Sequence, residues 1–414
     1  MKKFYPVVIA ALLALICSCD KDEPGGGIPE KKDIVLTRSE AEVVQAGEDF
    51  SFDLFREVAA TTGCRDMFIS PFSAHIANCL LANGASGETY SQIVKTLGFD
   101  GLDINDVNSA YNKIVTGLRE VDTSTKLEIA NALWIDDGFP VSQSFADALA
   151  ESYEAYVKNL DFSSPKALKT INGWCSEKTH NLIPEFLDQL SPEHVLILMN
   201  ALYFNGKWKD KFESSMTSKG EFKSLGSGTV SKDFMHLSHS FQYSETNDGK
   251  IRMCELPYGN GAFVMDVILP DKDVDFKGFI EGMTADKWNG MFTYSGSHLV
   301  NLSLPKFKME KEYDLTEALV SIGMELPYDQ NKADLKKMCS DPAWQLWVDK
   351  TIQKTVIKVD EDGSEAAAVT AHVIKGDTAA APQKVVEFNC DHPFMFMIRE
   401  TTSGVILFMG TFTE

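Results

Sequence analysis

The side chains best able to do chemistry in this sequence are a set of dispersed histidines, six cysteines beyond residue 20, two acidic turns and two serines at a strand-to-helix junction. Acyl transfer from a glycine-flanked nucleophile, zinc-dependent hydrolysis and phosphate cradling each need a local pattern. No GxSxG elbow, HExxH pair or Walker-type glycine loop occurs. Asp360-Glu-Asp-Gly363 suggests a calcium loop, but in that register Lys358 takes the first ligand position and Val369 the last. Asp271-Lys-Asp-Val-Asp275 places Phe276 where the loop requires glycine. Cys390 and His392 stand too close together for a zinc pair, and no second pair accompanies them. Ser70 and Ser73 read as helix caps or packing residues, and a lone histidine such as His194 as structural. The expectation is a protein that is not an enzyme, with no catalytic residue, metal or cofactor of its own.

Composition narrows the partners. The chain of 414 residues is 44% hydrophobic and 24% charged, an ordinary globular balance. It carries 39 basic against 60 acidic residues, a net charge of −21. That excludes nucleic acid, whose phosphates need clustered Lys and Arg, and leaves no basic patch for sulfated polysaccharides. Lys2-Lys3 followed by the apolar run Val7–Ile16 reads as a signal segment too short to span a bilayer. Ser18 before Cys19 resembles a bacterial lipoprotein signal, which implies cleavage of residues 1–18 and acylation of Cys19. Asp20-Lys-Asp-Glu23 resembles the acidic flank that some Gram-negative lipoproteins use for surface export. The expected location is therefore the outer membrane, surface-exposed, the membrane being touched through the lipid alone; a secreted or periplasmic protein is the alternative. Acyl chains anchor with about 0.8 kcal/mol per buried methylene. The six remaining cysteines, Cys64, Cys79, Cys175, Cys254, Cys339 and Cys390, are scattered and read mostly as small buried hydrophobes.

The elements that must position any site follow from periodicity. Residues 19–46, with Gly25-Gly-Gly27, read as a flexible tether, and a single domain is expected over 47–414. A helical face begins near Gly47 with Phe50, Leu54, Phe55 and Val58. Met67-Phe-Ile69 reads as a strand stopped by Pro71, which opens a helix ending at Gly84. Further helices are expected over Glu88–Leu97, Ala110–Leu118, Leu168–Leu182 and Tyr313–Ile322. Lys126–Trp134, Arg252–Pro257, Ala262–Leu269 and His298–Leu304 read as strands. Val195–Phe204, apolar on both faces, reads as a strand inside a covered sheet, and Pro393–Met409 as a hairpin. Helices early and strands late, with no repeat, predict one α+β domain.

One stretch stands apart. Glu361-Asp-Gly-Ser-Glu-Ala-Ala-Ala-Val-Thr370 follows the strand-like Thr355–Val359 and a turn. Its side chains are small enough for an exposed loop or a buried strand, which is what a switch requires. This stretch resembles the hinge of the serpins, the conformationally trapping protease inhibitors. Distant segments resemble the same family in the same order. Phe68-Ile-Ser-Pro-Phe-Ser73 resembles its shutter, and Asn200 with Phe204-Asn-Gly-Lys-Trp208 its central strand and breach tryptophan. Leu304-Pro-Lys306, Phe388-Asn-Cys-Asp-His-Pro-Phe394 and Phe408-Met-Gly410 resemble the strands that complete it.

The resemblance implies three β-sheets, about eight to nine helices and an exposed reactive-centre loop from about Ser364 to Gln383. A target serine or cysteine protease would attack the loop and be trapped as an acyl-enzyme when the cut loop inserts into the main sheet, with no catalytic residue supplied by the inhibitor. Gly363 would turn the chain; Ser364, Ala366, Ala368 and Thr370 would face inward after insertion, and Glu365, Ala367 and Val369 outward. Glu361 would pair with Lys306 under Trp208, while Ser70, Ser73, Asn200 and Gln353 hydrogen-bond where the sheet parts. Gln353 stands where the family often has histidine, which removes a titrating group. Counting forward from Gly363 places the reactive bond at Asp377–Thr378; counting back from Phe388 gives Ala380–Ala381, and Lys375–Gly376 is the trypsin-like choice. The partner is a protease in covalent complex with a monomer. A serpin-fold binding protein or chaperone without inhibition is the alternative, and a surface glycan-binding or hydrolytic lipoprotein a remoter one.

Overall fold

The computed structural model describes residues 29–191, 193–226, 228–364 and 385–414. In chain order it runs α1 (Arg38–Thr62), β1 (Met67–Ile69), α2 (Pro71–Gly84), α3 (Gly87–Thr96), α4 (Ile104–Glu120), β2 (Lys126–Asp136), α5 (Gln143–Tyr153), β3 (Tyr156–Leu160), α6 (Pro165–Lys178) and β4 (Leu196–Lys207). It continues with β5 (Ser218–Lys223), β6 (Thr229–Glu245), β7 (Ile251–Pro257), β8 (Phe263–Pro270), α7 (Phe276–Glu281), α8 (Ala285–Met291), β9 (Tyr294–Pro305), β10 (Phe307–Asp314) and α9 (Thr316–Ser321). The last elements are β11 (Ile352–Val359), β12 (Gly363–Ser364), β13 (Val386–Asn389), β14 (Phe394–Glu400) and β15 (Ile406–Phe412). No helix among the described residues is long and apolar enough to cross a membrane.

The strands form three hydrogen-bonded groups. The first has the order β3-β2-β4-β12, the second pairs β10 with β11, and the third runs β1-β15-β14-β8-β7-β6-β9-β13 with β5 on β6. Alternation along β2 explains how the first group is covered on both faces. Leu127, Ile129 and Leu133 face the main core, opposite Phe204, Leu202 and Leu198 of β4. Ala132 and Trp134 face the other way, into a smaller core with Ile171 and Cys175 of α6. The main core is aromatic where β1 meets the hairpin of β14 and β15. Phe68 stacks on Phe396 and Phe408 with centroids 5.9 and 5.0 Å apart, and such pairs add about 0.5–1.5 kcal/mol beyond burial.

Three local expectations are corrected, and one element went unread. The tether read over residues 19–46 gives way to helix at Arg38, because Thr37 and Glu40 form a capping box. Val43 and Ala46 bring that early turn into the core, and Ile34 packs against Gly117. The helix expected to reach Leu182 ends at Lys178, since His180 and Asn181 adopt left-handed backbone. Tyr313 lies on β10 and not on a helix; its hydroxyl accepts from the Phe68 amide. Helix α5 had no counterpart in the sequence reading, its apolar Phe145, Ala146 and Leu149 being spread over a short, otherwise polar segment.

Candidate functional site

The site is built where β11 turns back toward β4. After Val359 the chain makes a tight turn, with Asp360 and Gly363 bridging each other, and re-enters beside β4. Gly363 pairs antiparallel with Lys207, and Ser364 with Gly206. The glycine has φ +138°, and a Cβ there would lie 2.2 Å from the Gly206 carbonyl oxygen. Both conformation and close approach therefore exclude a side chain.

Over this turn sits a clasp of charge and aromatic packing. The Lys306 ammonium lies 2.6 Å from one Glu361 carboxylate oxygen, and the Thr217 hydroxyl donates to the other at 2.7 Å. Burial pushes the Glu361 carboxyl up, yet the bonds from Lys306 and Thr217 outweigh it and hold it below the usual range. Trp208 is buried, donates its indole N–H to the Asp360 carbonyl at 2.8 Å, and stacks on Tyr258 with centroids 4.4 Å apart. The turn's acidic side chains are spoken for: Asp360 pairs with Lys358 at 2.7 Å and Asp362 with Lys211 at 3.1 Å. Among the described residues no cluster of His, Cys, Asp and Glu could hold a metal ion.

A second, uncharged cluster lies farther down β4. Ser70 caps α2 by accepting from the Ser73 amide, and its own hydroxyl donates to the Leu407 carbonyl at 2.8 Å. The Gln353 side chain of β11 accepts from the Ser70 amide at 2.9 Å and donates to the Ser70 carbonyl at 2.8 Å. Ser73 donates to Asn200 of β4, which donates in turn to Asn131 of β2 at 2.7 Å. Through α2, then, both β4 and β11 are tied to one point.

Between those two strands no hydrogen-bonded ladder exists among the described residues. A cavity of about 450 Å³ lies there, lined by Leu198, Asn200 and Leu202 of β4 and by Gln353 and Thr355 of β11, with Phe408 beneath. Two strand edges facing one cavity can take an extended chain, whose amides and carbonyls would satisfy both. His194 stands at its lower end, 3.4 Å from Asp349.

The structure thus brings Glu361, Gly363, Trp208 and Lys306 together at one end, and Ser70, Ser73, Asn200 and Gln353 at the other. Glu365, Ala366, Ala367, Ala368, Val369 and Thr370, the bonds named at Lys375–Gly376, Asp377–Thr378 and Ala380–Ala381, and Cys19 lie outside the described residues. Sequence reading missed Thr217, Tyr258 and Asn131. Asn131 carried a signal: it occupies an inward position between Ile129 and Leu133, and a buried polar group on an apolar face needs a partner. Thr217 and Tyr258 come from other strands' ends and carried none.

The likeness to known proteins spans nearly the whole chain. A family profile described as "Serpin (serine protease inhibitor)" matches residues 45–414. The human leukocyte elastase inhibitor is 32% identical over 379 residues, covering 89% of this chain and 98% of that protein. Iripin-2 of Ixodes ricinus is 30% identical over 415 residues, covering 99% of each. Among solved structures, the native state of the thermophilic serpin Tengpin superposes with a TM-score of 0.80 at 28% identity, over 94% of this chain and 96% of that one.

Proposed function

Since the chain belongs to the serpin family, we propose that it is an irreversible suicide inhibitor, which traps a serine protease as an acyl-enzyme by inserting its cut loop between β4 and β11. Cysteine proteases are a second target class. The observation that carries this reading is the start of a strand at Gly363–Ser364, already in antiparallel register on β4 and aimed into the cavity. Continued in that register, Ala366, Ala368 and Thr370 would pair with Phe204, Leu202 and Asn200, on the face of β4 that looks into the main core. Small side chains suit that face, where bulk or charge would stall entry. Ile374 would then meet Leu196, the first residue of β4.

The energetics support a trap. About ten new backbone hydrogen bonds at ~1 kcal/mol net each could release on the order of 10 kcal/mol, comparable with the whole ~5–15 kcal/mol stability of a typical domain. On the protease side, losing one oxyanion-hole donor raises the barrier by about 3–4 kcal/mol. Distortion of the captured enzyme would strand the ester before water reaches it.

Asp377–Thr378 is the reactive bond in this reading, because it lies just past the residues needed to span β4; Lys375–Gly376 and Ala380–Ala381 are its rivals. The test is to mix the purified protein with leukocyte elastase, trypsin, subtilisin and papain, run denaturing gels, and locate the cut by mass spectrometry. A covalent complex stable to denaturant is expected. Plain cleavage by all four proteases overturns the inhibitory reading and favours a binding protein on the same fold.

We also place the protein on the outer membrane as a monomer held by acylated Cys19, on the strength of the signal-like residues 1–18. Labelled palmitate should enter the wild type and not Cys19→Ser, which should appear in the soluble fraction. Equal membrane association of the two would count against the anchor.

A further inference from the structure

Two cysteines far apart in the sequence, Cys254 on β7 and Cys390 just after β13, are packed toward the same small region of the core. Both are fully buried, and both are free thiols in this structure. Alternation along β7 puts Arg252, Cys254 and Leu256 on one face. At β13, Phe388 and Cys390 are buried while Glu387 and Asn389 are exposed, so the two buried residues share the inward face.

Three contacts bring these faces together. Tyr243 of β6 pairs directly with Cys254, and its ring meets that of Phe388 edge-on with centroids 6.5 Å apart. Arg252 lies over the Phe388 ring at 5.9 Å and donates to the Glu387 carbonyl at 3.2 Å. Past Cys390, His392 Nε2 lies 2.7 Å from the Pro270 carbonyl oxygen, and Pro270 pairs with Ile251 of β7. Cys390 is thus bracketed by residues seated on β7 and its neighbours, where Cys254 supplies the inward side chain. Burial pushes both thiols up; the neighbouring Cys390 adds to this at Cys254, and the Arg252 guanidinium works against it at Cys390. Other buried cysteines keep different company: Tyr111 and Tyr153 about Cys79, and Lys354 near Cys175.

We propose that Cys254 and Cys390 are a disulfide-forming pair, closed by exchange with a disulfide donor and stapling β13 to β7. The Cys390 thiolate, favoured by Arg252, attacks one sulfur of the donor disulfide and releases the other as a thiol. The Cys254 thiolate then attacks the Cys390 sulfur of that mixed disulfide and releases the second donor thiol. Two protein thiols are oxidised, one donor disulfide is reduced, and both protons pass to the leaving sulfurs. Access comes from β13 itself, a four-residue strand at the edge of its sheet, whose local opening bares Cys390. The donor is an oxidised small thiol or an oxidoreductase outside the cytosol, and to that extent the proposal rests on the export reading.

The test incubates the purified full-length chain with oxidised glutathione, alkylates it, and maps non-reduced peptides by mass spectrometry. The peptide carrying Cys254 should be linked to the one carrying Cys390, two hydrogens lighter than their sum. Hydrogen–deuterium exchange of the β13 amides should slow at least tenfold against the reduced protein, a comparison that needs no variant. Cys390→Ala should show neither the link nor the slowing. Glutathione adducts without the link, a link to another cysteine, or β13 exchange at an unchanged rate overturns the staple. A link formed in vitro but absent from protein recovered from its own cells keeps the pair and overturns the export reading.

Discussion

The two ends of the candidate slot are held by different chemistry. At the turn after β11 the clasp is ionic and half open to water, with the Lys306 side chain 37% exposed and that of Glu361 11%. At Ser70, Ser73, Asn131, Asn200 and Gln353 it is neutral and buried or half-buried, every bond running between amides, hydroxyls and backbone. An exposed ion pair is screened by salt and weakens when its carboxylate is protonated. A buried neutral network is indifferent to both but costly to leave unsatisfied. One end can thus respond to its surroundings while the other sets a constant resistance to parting the strands.

The largest expected effect bypasses both ends. Cutting the segment between Ser364 and Val386 should release on the order of 10 kcal/mol as the strand enters, read as a large rise in melting temperature by calorimetry. An unchanged melting temperature would mean that no strand enters. Next comes Ala368→Arg, which would force a charge against Leu202 on the core-facing side at a cost of several kcal/mol. Covalent complexes should give way to turnover as an ordinary substrate; inhibition at wild-type stoichiometry would sink the proposed register.

The neutral end is sharpened by Gln353→Leu. It leaves the Ser70 amide unpaired in a buried place, while the Ser70 carbonyl still accepts from the Ala74 amide, and should lower stability by about 1–3 kcal/mol, independently of salt. At the ionic end, Lys306→Met should cost under about 1 kcal/mol, and less still in high salt. Equal losses from the two variants in chemical denaturation would erase the contrast. The smallest effect is pH. Glu361 sits below its ordinary value of 4.5, so its contribution is fully present above that value and is lost as pH falls through the lowered one. Buried Asp266 and half-buried Glu255 work the other way: loss of hydration raises both carboxyls despite Arg399, so acid relieves a cost there. Spontaneous loss of inhibitory activity should accelerate below pH 4.5 in the wild type, and the Glu361→Gln variant should lack that acid step. An identical acid profile in both would place the sensitivity elsewhere.

Much of this site was legible because its residues are constrained one by one. Gly363 is required by a left-handed turn against the β4 backbone and Ser70 by a helix that opens at Pro71, while Trp208 and Lys306 stand directly after the ends of β4 and β9. Where reading failed, packing had overruled local composition. The polar stretch Arg38–Glu42 resembles linker until Val43 and Ala46 find the core, and Tyr313 joins a strand because β11 supplies its ladder.

By itself the sequence determined the class of fold, the family resemblance and the small-residue character of the stretch after Gly363, because periodicity, caps and steric limits act within a few residues. Only the tertiary structure decided that Thr217 completes the Glu361 clasp, that Asn131 links β2 to Asn200, and that β4 and β11 flank a cavity instead of sharing a ladder. Those outcomes join residues more than sixty positions apart, and no local preference can encode which distant partner satisfies a buried polar group.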